Sequence, residues 1–134
     1  MAIDGLDHIT VNASDLDASR RFYVEVLGLR DGDRPAFDVP GAWLYAGDRP
    51  IVHLVGVHLV GERDRKATTT GSFDHYAFQA ADLAGVIGRL KAAGIAYDLF
   101  TVPGLGRKQV FVEDPDGVKI ELNFGADEAI PDDA

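Results

Sequence analysis

The hydrophobic and polar residues of the first half of the chain follow the pattern of one strand, one helix and three further strands. Apolar and polar side chains alternate over residues 6–12, as they do in a strand with one buried face. Over residues 16–27 the apolar positions recur at helical spacing, and Gly28 is a typical helix stop. Ser14, with Asp17 three positions later, is the predicted N-cap of this helix. Short apolar runs separated by turn residues predict strands near 36–39, 42–46 and 51–57.

The second half repeats this order of elements. Alternation predicts a strand over residues 74–80, and an amphipathic pattern predicts a helix that begins at Asp82 and ends at Gly94. Further strands are predicted near 95–100, 109–113 and 118–124, the last two joined by the turn sequence DPDG.

The two halves also resemble each other in sequence. The segment LDHITV at residues 6–11 matches FDHYAF at residues 73–78, and at the same separation of 67 positions each is followed by an Asp-Leu pair that opens a helix. At a separation of 68, GDRPIVHL at 47–54 matches PDGVKIEL at 115–122. Such matches also arise by chance among common strand and turn patterns, but their shared order favours a duplicated unit of about 60 residues. We therefore predict a first module at 5–60, a linker at 61–72, a second module at 73–124 and a loose acidic tail at 125–134.

The composition indicates a soluble protein with one packed domain. Hydrophobic residues make up 46% of the 134 residues, which is enough for a core. The 13 basic and 22 acidic residues give a net charge of −9, which argues against a nucleic acid or an anionic membrane as partner. Cysteine is absent, which excludes disulfides and Cys-based metal sites. The start carries no signal-peptide pattern, and no apolar run reaches the ~20 residues of a membrane span, so we expect a cytoplasmic protein.

Polar residues that could take part in chemistry share one face of the predicted sheets. Because strand side chains alternate, His8, Thr10 and Asn12 lie on the face opposite to the one that packs on the helix. The same reasoning puts Gln79 on the corresponding face of the second module. The four strand positions that the repeat matches carry His8, His53, His75 and Glu121.

Three imidazoles and one carboxylate at matched positions favour a divalent metal site over a merely solvated sheet face. A solvated face accounts for Thr10 and Asn12, but less well for three of the four histidines standing at equivalent places. Imidazole and carboxylate are ligands for Zn, Ni, Co, Mn or Fe(II). Two or three histidines with one carboxylate also leave room for a substrate on the metal.

The same segments resemble the vicinal oxygen chelate superfamily, the group that contains glyoxalase I, extradiol dioxygenases and bleomycin resistance proteins. The motifs are LDHITV, FYVEVLGL on the first helix, FDHYAF and VFVEDPDGVKIEL, and the likeness extends over residues 5–124. The resemblance implies an α+β fold of two tandem βαβββ modules that form a half-open β-barrel around a metal. It also implies a homodimer, often with each site shared between subunits.

The resemblance further implies which residues bind the metal. His8, His75 and Glu121 match the three ligand positions common to the metal enzymes of the superfamily, and His53 matches the fourth. Glyoxalase I has a glutamate at the fourth position, so this chain departs from its pattern. His53 is either a ligand or a neighbour that supports one.

We therefore expect a metal-dependent enzyme, a glyoxalase-like lyase or isomerase, whose metal chelates two neighbouring oxygens of a small substrate. Glu121 is the predicted catalytic base, with His53 as the alternative. The predicted substrate contacts are Thr10, Asn12, Gln79 and the loop residue Arg107, although each is also typical of a solvated surface. The alternative functions are an Fe(II) extradiol dioxygenase and a metal-free protein that binds an antibiotic or another ligand.

Overall fold

The computed structural model describes residues 5–56 and 73–134. The predicted linker at 61–72 lies outside the described residues, as does the end of the predicted first module, including His58. The chain divides into two compact units, Met1–Ala67 and Thr68–Ala134. Each unit has one strand, one helix and three further strands in chain order, which confirms the predicted βαβββ modules and the α+β class.

Along the chain of the first unit, one strand is followed by a helical segment and then by three further strands. The elements are β1 (Ile9–Ala13), α1 (Leu16–Arg21), which continues as a π-helical turn (Phe22–Val26), β2 (Arg30–Gly32), β3 (Gly41–Ala46) and β4 (Arg49–Gly56). The strand order is β1-β4-β3-β2, in which β1 and β4 run parallel and the other neighbours run antiparallel. The helix packs against β4, and the core between them contains the buried residues Leu16, Phe22, Tyr23, Val52 and Leu54.

The second unit has the same topology. Its elements are β5 (His75–Gln79), α2 (Leu83–Ala92), β6 (Asp98–Thr101), β7 (Lys108–Glu113) and β8 (Lys119–Phe124). The strand order is β5-β8-β7-β6, again with one parallel pair, β5 and β8. Both sheets are open at their edge strands, in agreement with the half-open modules that the sequence predicts.

The two faces of each sheet differ in burial as the alternating pattern predicts. On β8, Ile120, Leu122 and Phe124 are buried, and each such side chain contributes roughly 1.5–3 kcal/mol of hydrophobic free energy. The intervening Lys119, Glu121 and Asn123 are partly exposed. On β4 the same alternation buries Val52 and Leu54 and leaves His53 partly exposed. One face of each sheet is therefore core, and the other is open for polar chemistry.

The second strand of the first unit is not where the sequence pattern predicts it. Residues 36–39 are not a strand; β2 is the earlier segment Arg30–Gly32, which pairs with β3. The predicted strand is flanked by Pro35 and Pro40, which have no N–H to give to a ladder. Instead, the N–H of Phe37 donates to the carbonyl of Pro35, so the backbone turns there.

Equivalent residues begin and end the two helices. Asp15, rather than the predicted Ser14, is the N-cap of α1 and accepts from the N–H of Ala18 at 3.1 Å. Asp82 caps α2 in the same way. Because Asp15 and Asp82 are matched by the internal repeat, the repeat is a better guide to the cap than the local Ser-Asp spacing. The helical segments are followed by Gly28 and Gly94, which adopt φ values of +85° and +67° that other residues rarely tolerate.

The acidic tail packs onto the second unit and is not loose. Oε1 of Glu128 accepts a hydrogen bond of 2.7 Å from the first N–H of α2, at Leu83. The carbonyl of Ala126 accepts from Lys108 Nζ at 2.7 Å. Within residues 5–56 and 73–134, no helix has both the length and the apolar character needed to cross a bilayer.

Candidate metal-binding residues

In the second unit His75 and Glu121 lie side by side on neighbouring strands. Because β5 and β8 pair in parallel with Ala77 opposite Glu121, both side chains project from the open face of the sheet. Nε2 of His75 is 3.5 Å from Oε1 of Glu121. The two side chains are 32% and 15% exposed, so the pair is accessible yet partly shielded from water.

Asp74 holds the His75 ring from the other side. Oδ2 of Asp74 lies 2.6 Å from His75 Nδ1, and because a carboxylate can only accept, Nδ1 is the protonated nitrogen. A neutral His75 therefore presents the lone pair of Nε2 toward Glu121. Asp74 is also 3.7 Å from Lys119 Nζ. The hydrogen bond from His75, helped by the charge of Lys119, holds the pKa of Asp74 below its usual value.

A chain of amides fixes the Glu121 carboxylate. Oε2 of Glu121 accepts a hydrogen bond of 2.6 Å from Asn123, whose own side-chain oxygen accepts from Gln109 at 3.0 Å. Glu121 and Asn123 are two positions apart on β8, and Gln109 of β7 lies opposite Asn123, so the sheet register brings the three side chains together. With Oε2 occupied, Oε1 is the oxygen directed at His75.

In the first unit His8 makes the same contact with its preceding residue. Nδ1 of His8 lies 2.6 Å from Oδ2 of Asp7, which leaves Nε2 as the lone-pair nitrogen of the neutral ring. The hydrogen bond from His8 lowers the pKa of Asp7. The Asp-His doublets of the two units thus engage the same imidazole nitrogen, Nδ1, and leave Nε2 as the second nitrogen of each ring.

His53 is held between two other rings. Its imidazole stacks on His8, with ring centroids 3.8 Å apart and planes 13° from parallel. Its opposite face stacks on Trp43 at 4.1 Å and 11°. Nε2 of His53 lies 3.1 Å from the carbonyl oxygen of Pro50, to which it must donate. Burial, and next the neighbouring His8, lower the pKa of His53 and favour its neutral form, although the Pro50 hydrogen bond opposes them.

The predicted ligands are therefore gathered as two pairs, His8 with His53 in the first unit and His75 with Glu121 in the second. Within either unit, no group of three or more His, Asp or Glu side chains is arranged to hold an ion, as far as the described residues show. The other predicted site residues lie on the same open faces or on a loop. Thr10 is in register with His53, Asn12 follows it on β1, Gln79 is in register with Asn123, and Arg107 is exposed in the turn before β7.

Several residues that shape these pairs had no role in the sequence-based prediction. They are Asp7, Asp74 and Asn123. The Asp-His doublet recurs in both modules, and this recurrence in the sequence could have indicated a role for the two aspartates. The contacts of Trp43 and Asn123 depend on the register between strands, which the sequence pattern does not specify.

The side-chain atoms that His75 and Glu121 direct at each other, Nε2 and Oε1, fit a divalent ion. Two ligands of one ion, each about 2.0–2.2 Å from it, lie roughly 3.0–3.4 Å apart at coordination angles of about 90–109°. The 3.5 Å between Nε2 and Oε1 is close to this separation and longer than a strong hydrogen bond. Imidazole and carboxylate suit Zn, Ni, Co, Mn or Fe(II). His75 and Glu121 could thus accept an ion with little movement.

Comparison with known proteins gives a consistent family. The family model of the Glyoxalase/Bleomycin resistance protein/Dioxygenase superfamily matches residues 5–122. The chain is 33% identical over 128 residues to Glyoxylase I 4 of Arabidopsis thaliana, covering 90% of this chain and 70% of that protein. It is 30% identical over 123 residues to a probable lactoylglutathione lyase of Vibrio parahaemolyticus, covering 86% of each. The chain spans only 34% and 42% of two longer plant relatives.

The fold is also found among solved structures. A mutant of the fosfomycin resistance protein FosX from Listeria monocytogenes, complexed with Mn(II) and 1S,2S-dihydroxypropylphosphonic acid, superimposes with a TM-score of 0.71. The alignment covers 92% of this chain and 93% of that one at 17% identity. At this identity the likeness is evidence for the fold alone.

Proposed function

This chain belongs to the Glyoxalase/Bleomycin resistance protein/Dioxygenase superfamily, and we propose that it is a metal-dependent, glyoxalase-like lyase or isomerase. Its substrate is a small molecule whose two neighbouring oxygens chelate a divalent ion. The ligands are drawn from His8, His53, His75 and Glu121. The matching relatives include proteins named as lactoylglutathione lyases, which supports an enzymatic function of this type.

One observation carries this proposal. Two modules, related by an internal repeat, each bring a histidine together with a second imidazole or carboxylate side chain on an open sheet face. In both modules the histidine is oriented by the aspartate that precedes it. A solvated sheet face gives no reason for this arrangement to occur twice, whereas a site that needs lone pairs at defined nitrogens does.

The chemistry follows from which atoms are held. A bound divalent ion supplies stabilisation of negative charge as it develops on a substrate oxygen. Nε2 of His8 and of His75 are directed outward because Asp7 and Asp74 bind the opposite nitrogens. Glu121 Oε2 is bound to Asn123, which leaves Oε1 as the oxygen that would bind the ion. Once released from the ion, the same oxygen would accept a proton from the substrate carbon.

Four further residues complete the proposed site. Thr10, Asn12 and Gln79 hydrogen-bond to polar groups of the substrate from the open strand faces, and Arg107 binds an anionic group. The ligands drawn from the two pairs bind a common ion, within one chain or across two chains of a homodimer. We also propose that the protein is located in the cytoplasm.

Metal content tests the proposal directly. Protein purified without chelators should contain about one divalent ion per chain by elemental analysis, and His75→Ala and Glu121→Ala should each lose most of it. Glu25→Ala, which removes an exposed helix carboxylate, is the control and should retain the metal. Full occupancy in both site variants would overturn the proposal.

Substrate assays then separate the reaction classes. A glutathione hemithioacetal is the first substrate to assay, given the names of the relatives. We expect slow turnover of it, because His53 stands where glyoxalase I has a glutamate. Oxygen uptake with catechols after anaerobic Fe(II) loading would instead identify an extradiol dioxygenase. Ligand binding that is insensitive to chelators, without turnover, would identify a metal-free binding protein.

A further inference from the structure

Three flat rings form a continuous stack across neighbouring strands of the first unit. Trp43 on β3 lies opposite His53 on β4, and Thr10 of β1 lies opposite the same His53 from the other side. The ring of His53 is thereby placed between Trp43 at 4.1 Å and His8 at 3.8 Å, with all three planes nearly parallel. This ring stack, Trp43–His53–His8, determines what each imidazole can bind.

Parallel stacked imidazoles cannot both donate to one ion. The nitrogen lone pairs lie in the ring plane, so a ligand ring holds its ion in that plane about 2 Å from the nitrogen. The planes of His8 and His53 are nearly parallel, and their centroids are 3.8 Å apart. An ion in the plane of His8 therefore lies well outside the plane of His53. In addition, Nε2 of His53 already donates to the Pro50 carbonyl.

The matched position in the second unit is different. There Glu121 meets His75 through the edge of the ring, with Oε1 directed at Nε2. Phe111, which lies opposite Glu121 as Trp43 lies opposite His53, meets His75 edge-on with centroids 6.3 Å apart. At equivalent positions, Glu121 thus meets the edge of a histidine ring in one module, whereas His53 stacks on the face of a histidine ring in the other.

We propose that His53 is a positioning residue, backed by Trp43, that holds His8 by stacking and does not ligate the metal. This inference rests on the proposed function. It leaves three protein ligands, His8, His75 and Glu121, and therefore open coordination positions for the two oxygens of a substrate. It also accounts for the absence of a carboxylate at position 53, since a flat ring is what the stack needs.

The affinity for Zn²⁺ alone, measured by titration calorimetry on the metal-free full chain, tests this inference. His53→Phe keeps a flat ring without donor nitrogens, and we expect its Kd to change by no more than about threefold. Trp43→Ala removes the backing ring and should weaken binding about tenfold, as loss of a group that orients a ligand does, while Trp43→Phe should restore most of the affinity. If His53→Phe weakens Zn²⁺ binding as much as His8→Ala does, His53 is a ligand and the inference is wrong.

A readout without metal provides an independent test. Trp43 is the only tryptophan of the chain, so its emission reports on the stack. In metal-free protein, His53→Ala should expose the indole and shift its emission to longer wavelength, whereas His53→Phe should leave it unchanged. An unchanged spectrum in His53→Ala would overturn the stacking role. If His8→Ala, His75→Ala and Glu121→Ala all retain full Zn²⁺ affinity, the proposed function fails instead.

Discussion

Oδ2 of Asp74 lies 2.6 Å from Nδ1 of His75, and the same atoms of Asp7 and His8 are separated by the same distance in the first unit. This repeated contact selects which imidazole nitrogen carries the lone pair. It also makes the carboxylates part of the proposed site although they touch no ligand atom of the metal.

We predict that Asp74→Asn weakens Zn²⁺ binding by about tenfold without unfolding the protein. The amide can still accept a hydrogen bond, but it no longer makes the His75 ring more basic, and such orienting groups are worth about 10–100-fold in metal affinity. Calorimetric titration of the metal-free protein measures the change. Asp132→Asn, which removes an exposed carboxylate from the tail, is the matched control. Equal affinities for the two variants would contradict the role of Asp74.

Two glycines, one inside α2 and one just beyond its end, should respond in opposite directions to the same substitution. Gly94 has φ +67°, so Gly94→Ala should lower the free energy of unfolding by about 1–2 kcal/mol. Gly88 lies inside α2, and a methyl group added there would point into open space, so Gly88→Ala should raise stability by about 0.5–1 kcal/mol. Urea titration followed by circular dichroism measures both. A stabilising effect of Gly94→Ala would be inconsistent with the left-handed turn.

Glu128 is expected to stabilise α2 even though it lies in the C-terminal segment. Its Oε1 accepts from the N–H of Leu83, one of the unpaired donors of the first helical turn. Glu128→Ala should lower the free energy of unfolding by about 0.5–2 kcal/mol, the usual value of a lost cap. The control Glu25→Ala removes an exposed carboxylate elsewhere and should change stability by less than about 0.5 kcal/mol. Thermal melts that show no difference between the two would mean that the tail does not cap the helix.

The stability of metal-free protein should fall as the pH is lowered from neutrality. Burial and the neighbouring His8 lower the pKa of His53 in the folded chain, whereas the unfolded value is about 6.5. As the pH falls, His53 is therefore protonated in the unfolded state before it is protonated in the folded state. The contribution of neutral His53 to the free energy of unfolding is present above about pH 6.5 and is lost as the pH falls through the lower folded pKa. We expect His53→Phe to show a weaker pH dependence between about pH 7.5 and 5.5 in urea titrations with EDTA. If the free energies of unfolding of wild type and variant change with pH in parallel, the lowered pKa of His53 is contradicted.

The order of elements was largely predictable because it depends on local patterns. Alternation over 118–124 and helical spacing from Asp82 specify which side of each element is apolar, and the structure confirms both. The exception is β2, a charged three-residue strand with no alternation, whose position depends on pairing with β3. Short edge strands of this kind are decided by their partners and not by their own sequence.

The chain by itself determined the two βαβββ modules and the open-face positions of His8, His53, His75 and Glu121, because side-chain direction in a strand follows from residue parity alone. Only the tertiary structure decided that His53 stacks between Trp43 and His8, while Glu121 meets His75 at its edge. The orientation of a ring is set by side-chain torsions, which depend on the neighbours that the strand register brings across the sheet. Those neighbours are distant in sequence, so a periodic pattern carries no information about them.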